Sequence, residues 1–238
     1  MPEISNISYL KFLKNSGINT FLQNKVNNFY NSHKNKKIPI ISNNIGDVKD
    51  YNELEIFISN SHINNIQKYS NKIIFGNGNI KSNIIIIGEG PSAEDENIGK
   101  PIAGESGQLL NKMFKAINID MKDVFVANII PWRLLENRNP TNEEIIECLP
   151  FIQRLIELIK PDFLLLLGST ATKAILGTNL NFSNLRKEWH YYNSVNLNKK
   201  IECLVSYDPL HLLKNPKDKK MSWEDLKIFK KKITNEKI

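Results

Sequence analysis

The sequence predicts an α/β protein: a three-layer α/β/α sandwich around a central four-stranded parallel sheet, with a helical extension at the N-terminus. Three observations lead there. The runs Ile84–Ile87 and Phe163–Leu167 are apolar at every position, so both faces of each strand must be covered. Such runs alternate with longer stretches whose apolar residues recur at helical spacing. Between two of the runs, Thr141-Asn-Glu-Glu144 forms a capping box, in which a hydroxyl and a carboxylate satisfy unpaired amides and fix the start of a helix.

Taken in order, residues 7–30 place Tyr9, Leu10, Phe12 and Leu13, then Phe21, Leu22, Val26 and Phe29, at helical spacing around a break at Ser16-Gly17, which predicts a helical hairpin. Residues 31–50 are polar and aperiodic, a linker. The division is thus 1–50 for the extension and linker and 51–238 for the α/β domain. Strands are expected at Asn83–Ile87, Val124–Ile130, Asp162–Leu167 and Ile201–Tyr207. Helices are expected at Ser106–Ile117, Thr141–Ile159, Ser169–Leu176 and Ser222–Ile233. No apolar run approaches the ~20 residues that span a bilayer.

Composition narrows the classes further. The chain of 238 residues is 41% hydrophobic and 24% charged, ordinary for a globular core. Its two cysteines, Cys148 and Cys203, could form at most one bridge, and no leader-like segment opens the sequence, so a reduced, cytoplasmic protein is expected. The net charge of +7 is unevenly spread: from Pro209 to Ile238 nine lysines face four acids, which fits a polyanionic partner or a solvated lysine face.

In a parallel sheet of this kind, ligands sit beyond the carboxyl ends of the strands. The loops 88–105, 128–140, 168–170 and 208–221 are therefore the candidates. In the first of these, Gly88-Glu-Gly90-Pro-Ser-Ala93 matches a dinucleotide fingerprint in form only: Pro91 lacks an N–H, and Glu94, Asp95 and Glu96 would repel a pyrophosphate. A second reading makes those acids a solvated loop. A third comes from several blocks together: GEGPSAEDENIGKPIAGESGQLLNKMF, then VFVANIIPWRLLENRNPTNEEIIECLPFI, DFLLLLGSTATKAILG and YDPLHLLKNPKDKKMSWEDL. In order and spacing these resemble the family 4 uracil-DNA glycosylases over roughly Ile73 to Phe229.

The resemblance implies an enzyme that hydrolyses the N-glycosidic bond of uracil in DNA. Such chemistry needs the nucleotide extruded from the stack, a stabilised oxocarbenium-like sugar and a uracil that leaves with negative charge. It implies catalytic positions at Glu89, Gly90, Asp95 and Asp208, with either Glu89 or Asp95 as the carboxylate beside the sugar and its attacking water. It implies Asn128, Ile102 and Gly88 at the uracil: an amide can donate to O4 and accept from N3–H, the reverse of what cytosine presents. Residue by residue, Asn128 also has the simpler reading of a cap or turn. For DNA the resemblance implies Ser106, Arg138, His211, Leu212, Lys214 and Lys217. Arg133 and Arg138 read equally as internal pairing residues, and Leu212 or Leu213 as a wedge into the vacated stack or as core.

Three positions depart from the family pattern. Ile102 replaces an aromatic ring, forfeiting about 1–3 kcal/mol of stacking. Ser92 replaces a glycine. Asp208 replaces the histidine that donates to the departing uracil oxygen, a loss typically costing about 2.7–4 kcal/mol unless the carboxyl is protonated or His211 substitutes. The expected cofactor is none: relatives with an iron–sulfur cluster use four cysteines, and only Cys148 stands at such a position, with Trp132 at another. Uracil-containing DNA is the expected partner, no membrane is involved, and a monomer is expected. A catalytically impaired DNA-binding relative and an unrelated nucleotide-binding protein are the alternatives.

Overall fold

A computed structural model of the protein describes residues 44–61, 66, 72–178, 180–194 and 196–235. The helical hairpin expected at 7–30 lies outside them. The end of the stretch read as linker is packed: a 3₁₀ turn at Ile45–Asp47 brings Val48 into the core, and its carbonyl accepts from the Arg154 guanidinium.

In chain order the elements are α1 (Tyr51–Asn60), β1 (Gly76–Gly78), β2 (Ile84–Gly88), α2 (Ala93–Ile98), α3 (Gly104–Ala116), β3 (Phe125–Asn128), α4 (Asn142–Ile159), β4 (Phe163–Leu167), α5 (Ser169–Leu176), α6 (Phe182–Leu185), β5 (His190–Asn193), β6 (Lys200–Ser206), α7 (Pro209–Lys214) and α8 (Lys219–Asn235). Thr141 caps α4 in a capping box with Glu144.

Strand order is β1-β3-β2-β4-β6-β5. The inner four are mutually parallel, as the apolar runs require, but the sheet has six strands rather than four, because β1 and β5 add antiparallel edges. Neither edge carries a strand signal. Gly76-Asn-Gly78 has no apolar side chain, and a Cβ on Gly76 would lie 2.6 Å from the Phe125 ring, so pairing there depends on glycine. In β5 only Tyr192 is buried.

Alternate strand residues feed two cores. Ile85, Ile87, Phe125, Leu164, Leu166 and Val205 pack with α1, α4 and α5, and this cluster includes the two cysteines, Cys148 of α4 and Cys203 of β6. On the opposite face Ile84, Ile86, Val126, Leu165 and Leu204 pack with Leu110 and Phe114 of α3 and with Leu226 and Phe229 of α8. The three layers follow directly from strands that are apolar on both sides. No helix among the described residues is long and apolar enough to cross a membrane.

Candidate active site at the carboxyl ends of the parallel strands

The register of β2 and β3 sets Gly88 beside Asn128. A Cβ on Gly88 would lie 2.9 Å from Asn128 Oδ1 and 3.2 Å from Ile102 Cδ1, so three of the sequence-derived uracil positions converge where only hydrogen leaves room. Asn128 is buried, and its Nδ2 donates to the Ile74 carbonyl at 3.1 Å, which fixes the direction of the amide. Its Oδ1 is buried without a hydrogen-bond partner among the described residues. Such an orphan acceptor costs about 1–3 kcal/mol. Beside it Ile102 holds φ +47°, a left-handed conformation that a β-branched residue rarely adopts. Strain and an unsatisfied polar atom at one point mark a place built to receive something.

Glu89 and Asp95 serve different ends. Both oxygens of the buried Asp95 accept backbone amides, Oδ2 from Ser92 at 2.8 Å and Oδ1 from Ala103. Its own amide bonds Ser92 Oγ at 3.2 Å, completing a capping box for α2. Ser92 adopts extended backbone at φ −81°, so serine is unstrained there, and its hydroxyl is used. Asp95 therefore holds the 92–103 loop in shape. Half-buried Glu89 has Oε1 on the Thr170 amide at 2.7 Å, in the first turn of α5, while Oε2 has no hydrogen bond among the described residues. The helix N-terminus favours its negative charge. Gly168, at φ +89°, makes the approach possible, since a Cβ there would meet Oε1 at 2.5 Å.

Asp208 caps α7, with Oδ1 accepting from Leu210 N at 2.8 Å. Burial, and then the charge of Glu89, push its carboxyl up to about 6, against the pull of the Leu210 and His211 amides. A protonated donor at this position is thus accessible near neutral pH. His211 does not substitute for it: Nε2 lies 2.7 Å from Asp218 Oδ2, and the ring stacks on Tyr207 at 4.9 Å. Tyr207 is covered in turn by the Arg186 guanidinium at 4.5 Å, and Arg186 makes two bonds to buried Asp225, at 2.9 and 3.0 Å. This chain of contacts ties the segment carrying Asp208 to α8.

The DNA-facing candidates divide. Lys214 and Lys217 are exposed after the site, and Ser106 is half-buried in the first turn of α3. Leu212 is fully buried and cannot enter a duplex without unpacking, which corrects its reading as a wedge; the exposed leucine of α7 is Leu210, at 38%. Arg138, open to two readings, pairs internally, its guanidinium meeting Glu144 with two bonds and holding that carboxyl below its usual range. Arg133 likewise bonds Glu96 at 3.2 Å and Asn137 at 3.0 Å.

Several members of the site have no signal of their own in the sequence. Thr170 and Gly168 join only because β4 and β2 are neighbours. Glu94 accepts the Glu105 amide at 3.2 Å at the start of α3, occupying the space a Cβ on Gly104 would need. Both cysteines, Cys148 and Cys203, are buried, and burial raises the Cys148 thiol well above its ordinary range.

A sequence profile of the uracil DNA glycosylase superfamily matches residues 75–227. The type-4 uracil-DNA glycosylase of Pyrobaculum aerophilum is 28% identical over 183 residues, covering 76% of this chain and 93% of its own. That of Saccharolobus solfataricus is 30% identical over 179 residues, 72% of this chain and 81% of its own, and that of Thermotoga maritima 29% over 167 residues, 69% and 84%. The matched span takes in all six strands and every loop of the site, and the chain belongs to the uracil DNA glycosylase superfamily.

Proposed function

We propose that the protein is a DNA-repair glycosylase that hydrolyses the N-glycosidic bond of uracil in DNA, as a monomer in the cytoplasm and without a metal or iron–sulfur centre. The observation that carries this reading is the buried, unpartnered Oδ1 of Asn128 beside Gly88 and Ile102. Uracil N3–H supplies the missing donor, and the second Nδ2 hydrogen is available to O4; cytosine would set its N3 lone pair against Oδ1. Ile102 packs on the base. Glu89, fixed through Oε1 to Thr170, turns its other oxygen to the sugar, stabilising developing positive charge or orienting water. Asp208 in its protonated form donates to the uracil oxygen that gains charge.

The test is single-turnover excision from a labelled uracil oligonucleotide by the protein, Glu89→Ala and Asp208→His. Excision lost in Glu89→Ala and raised by ~10² or more in Asp208→His supports the reading. Absence of excision from all three overturns it. Asp208 and Ile102 favour a second reading, a DNA-binding relative with little chemistry, which salt-sensitive DNA binding without excision would support.

A further inference from the structure

The exposed face of α8 is not used by the chemistry above. One side of this helix is committed to the core through Ser222, Asp225, Leu226, Phe229 and Ile233. The other side presents Lys220, Trp223, Lys227 and Lys231, at steps of three or four residues, so they form one stripe. Trp223 is 40% exposed, whereas Trp132 is buried and Trp189 is stacked on Phe229. Of the acids on this helix, Asp225 is turned inward to Arg186, and Glu224 pairs with Lys227 at 2.7 Å. Lys219, Lys220, Lys230 and Lys231 have no carboxylate within ion-pair distance among the described residues. Of the three cations of the stripe, Lys227 is thus paired with Glu224, whose charge Lys220 also offsets, and the stripe keeps a net charge of +2.

Two features indicate what lies against it. Cations flanking a solvent-facing indole suit a nucleic-acid strand, whose phosphates take the lysines and whose bases offer a flat face of any sequence. A bilayer would need a broad apolar face, and here that face is spent on the core. The stripe also follows the site directly along the chain. From Asp208 the chain runs through α7 to Lys214, past Lys217 in the turn Pro216–Asp218, and into α8 at Lys219. From Lys220 to Lys231 the helix rises about 16 Å, roughly five B-form steps of 3.4 Å.

We propose that the outer face of α8 is a second nucleic-acid contact, which holds an unpaired stretch of strand beside the target nucleotide: Trp223 stacks on a base, and Lys220, Lys227 and Lys231 bind phosphates. This rests on the DNA reading of the site but not on its chemistry. An extruded uracil leaves neighbouring nucleotides free to unstack, and a stacking platform would favour substrates that are already single-stranded.

The experiment titrates the full-length protein into a labelled, uracil-free thymidine oligonucleotide of about 20 nucleotides and reads anisotropy at several salt concentrations. Trp223→Ala is expected to bind on the order of ten-fold more weakly, with an unchanged salt slope, and Trp223→Phe to recover most of the loss. Replacing Lys220, Lys227 and Lys231 with serine is expected to reduce the slope of log affinity against log salt by about 2. Excision from a uracil trinucleotide, which leaves no strand for α8, is expected to be unchanged in Trp223→Ala. Wild-type affinity in Trp223→Ala, no recovery in Trp223→Phe, or a loss of trinucleotide excision would each overturn the proposal. If the unmodified protein excises nothing but the binding losses persist, the proposal stands and the glycosylase reading fails.

Discussion

Gly88 shows how much one missing methyl group decides. Its Cβ would stand 2.9 Å from Asn128 Oδ1, so Gly88→Ala must displace the amide or Ile102. We expect single-turnover uracil excision to fall by ~10², since a displacement of about 1 Å has that effect, while the melting temperature moves by only a few degrees. Asn128→Asp replaces the amide donor with a second acceptor, and uracil should lose its advantage over cytosine in a binding assay. On the role proposed for Asp208, the excision rate should depend on pH. Its folded carboxyl titrates near 6, above the ordinary value, so its contribution to stability is complete at low pH and is lost as pH rises through about 6, when a charge forms beside Glu89. Asp208→Asn retains the cap on α7 without that charge. It should melt higher than the parent at pH 8 and show no such gain at pH 4, and the parent's excision rate should rise as pH falls from 8 toward 5.5. At this scale the sequence was readable where a residue works alone. Asn128, Glu89 and Ile102 could be singled out from their blocks, whereas Thr170, Gly168 and Glu94 act through partners 81, 79 and 11 positions away, which only the fold brings near.

Among the elements, α7 is the one whose reading changed most. As a loop it offered Leu212 and Leu213 for insertion into DNA; as a helix capped by Asp208 it turns Leu212 inward and leaves Leu210 outside. Leu212→Ala should therefore cost about 2–5 kcal/mol in denaturant unfolding. Leu210→Ala should leave stability within about 0.5 kcal/mol, and any loss it causes should appear in excision from duplex DNA. The six-residue helix was hard to foresee because Asp-Pro reads as turn initiation, and so short a stretch carries less than two periods. The inner strands were legible for the opposite reason. Burial on both faces leaves an unbroken apolar run, while the edge strands β1 and β5 are held by backbone pairing with little apolar side chain beyond Tyr192 to announce them.

At the scale of the whole molecule, charge and architecture point the same way. Of the net charge of +7, +4 falls after the last strand, where nine lysines meet five acids, and this stretch follows the loop that carries Asp208. Log affinity for DNA should fall linearly with log salt, and replacing Lys214 and Lys217 together should reduce the duplex slope by about 1.8 if each meets one phosphate. The three-layer plan was legible, because it follows from the alternation of apolar runs with helices, and the strand ends pointed to the candidate site above the sheet. Two thiols lie within this plan, Cys148 on α4 and Cys203 on β6, both buried in one core and both raised by burial above their ordinary range. Neither can meet an alkylating reagent while the sheet and α4 stay together. The pair is therefore a built-in clock: the rate at which each thiol is trapped in dilute reagent reports how often its element opens, and equal rates would mean that helix and sheet come apart in one event.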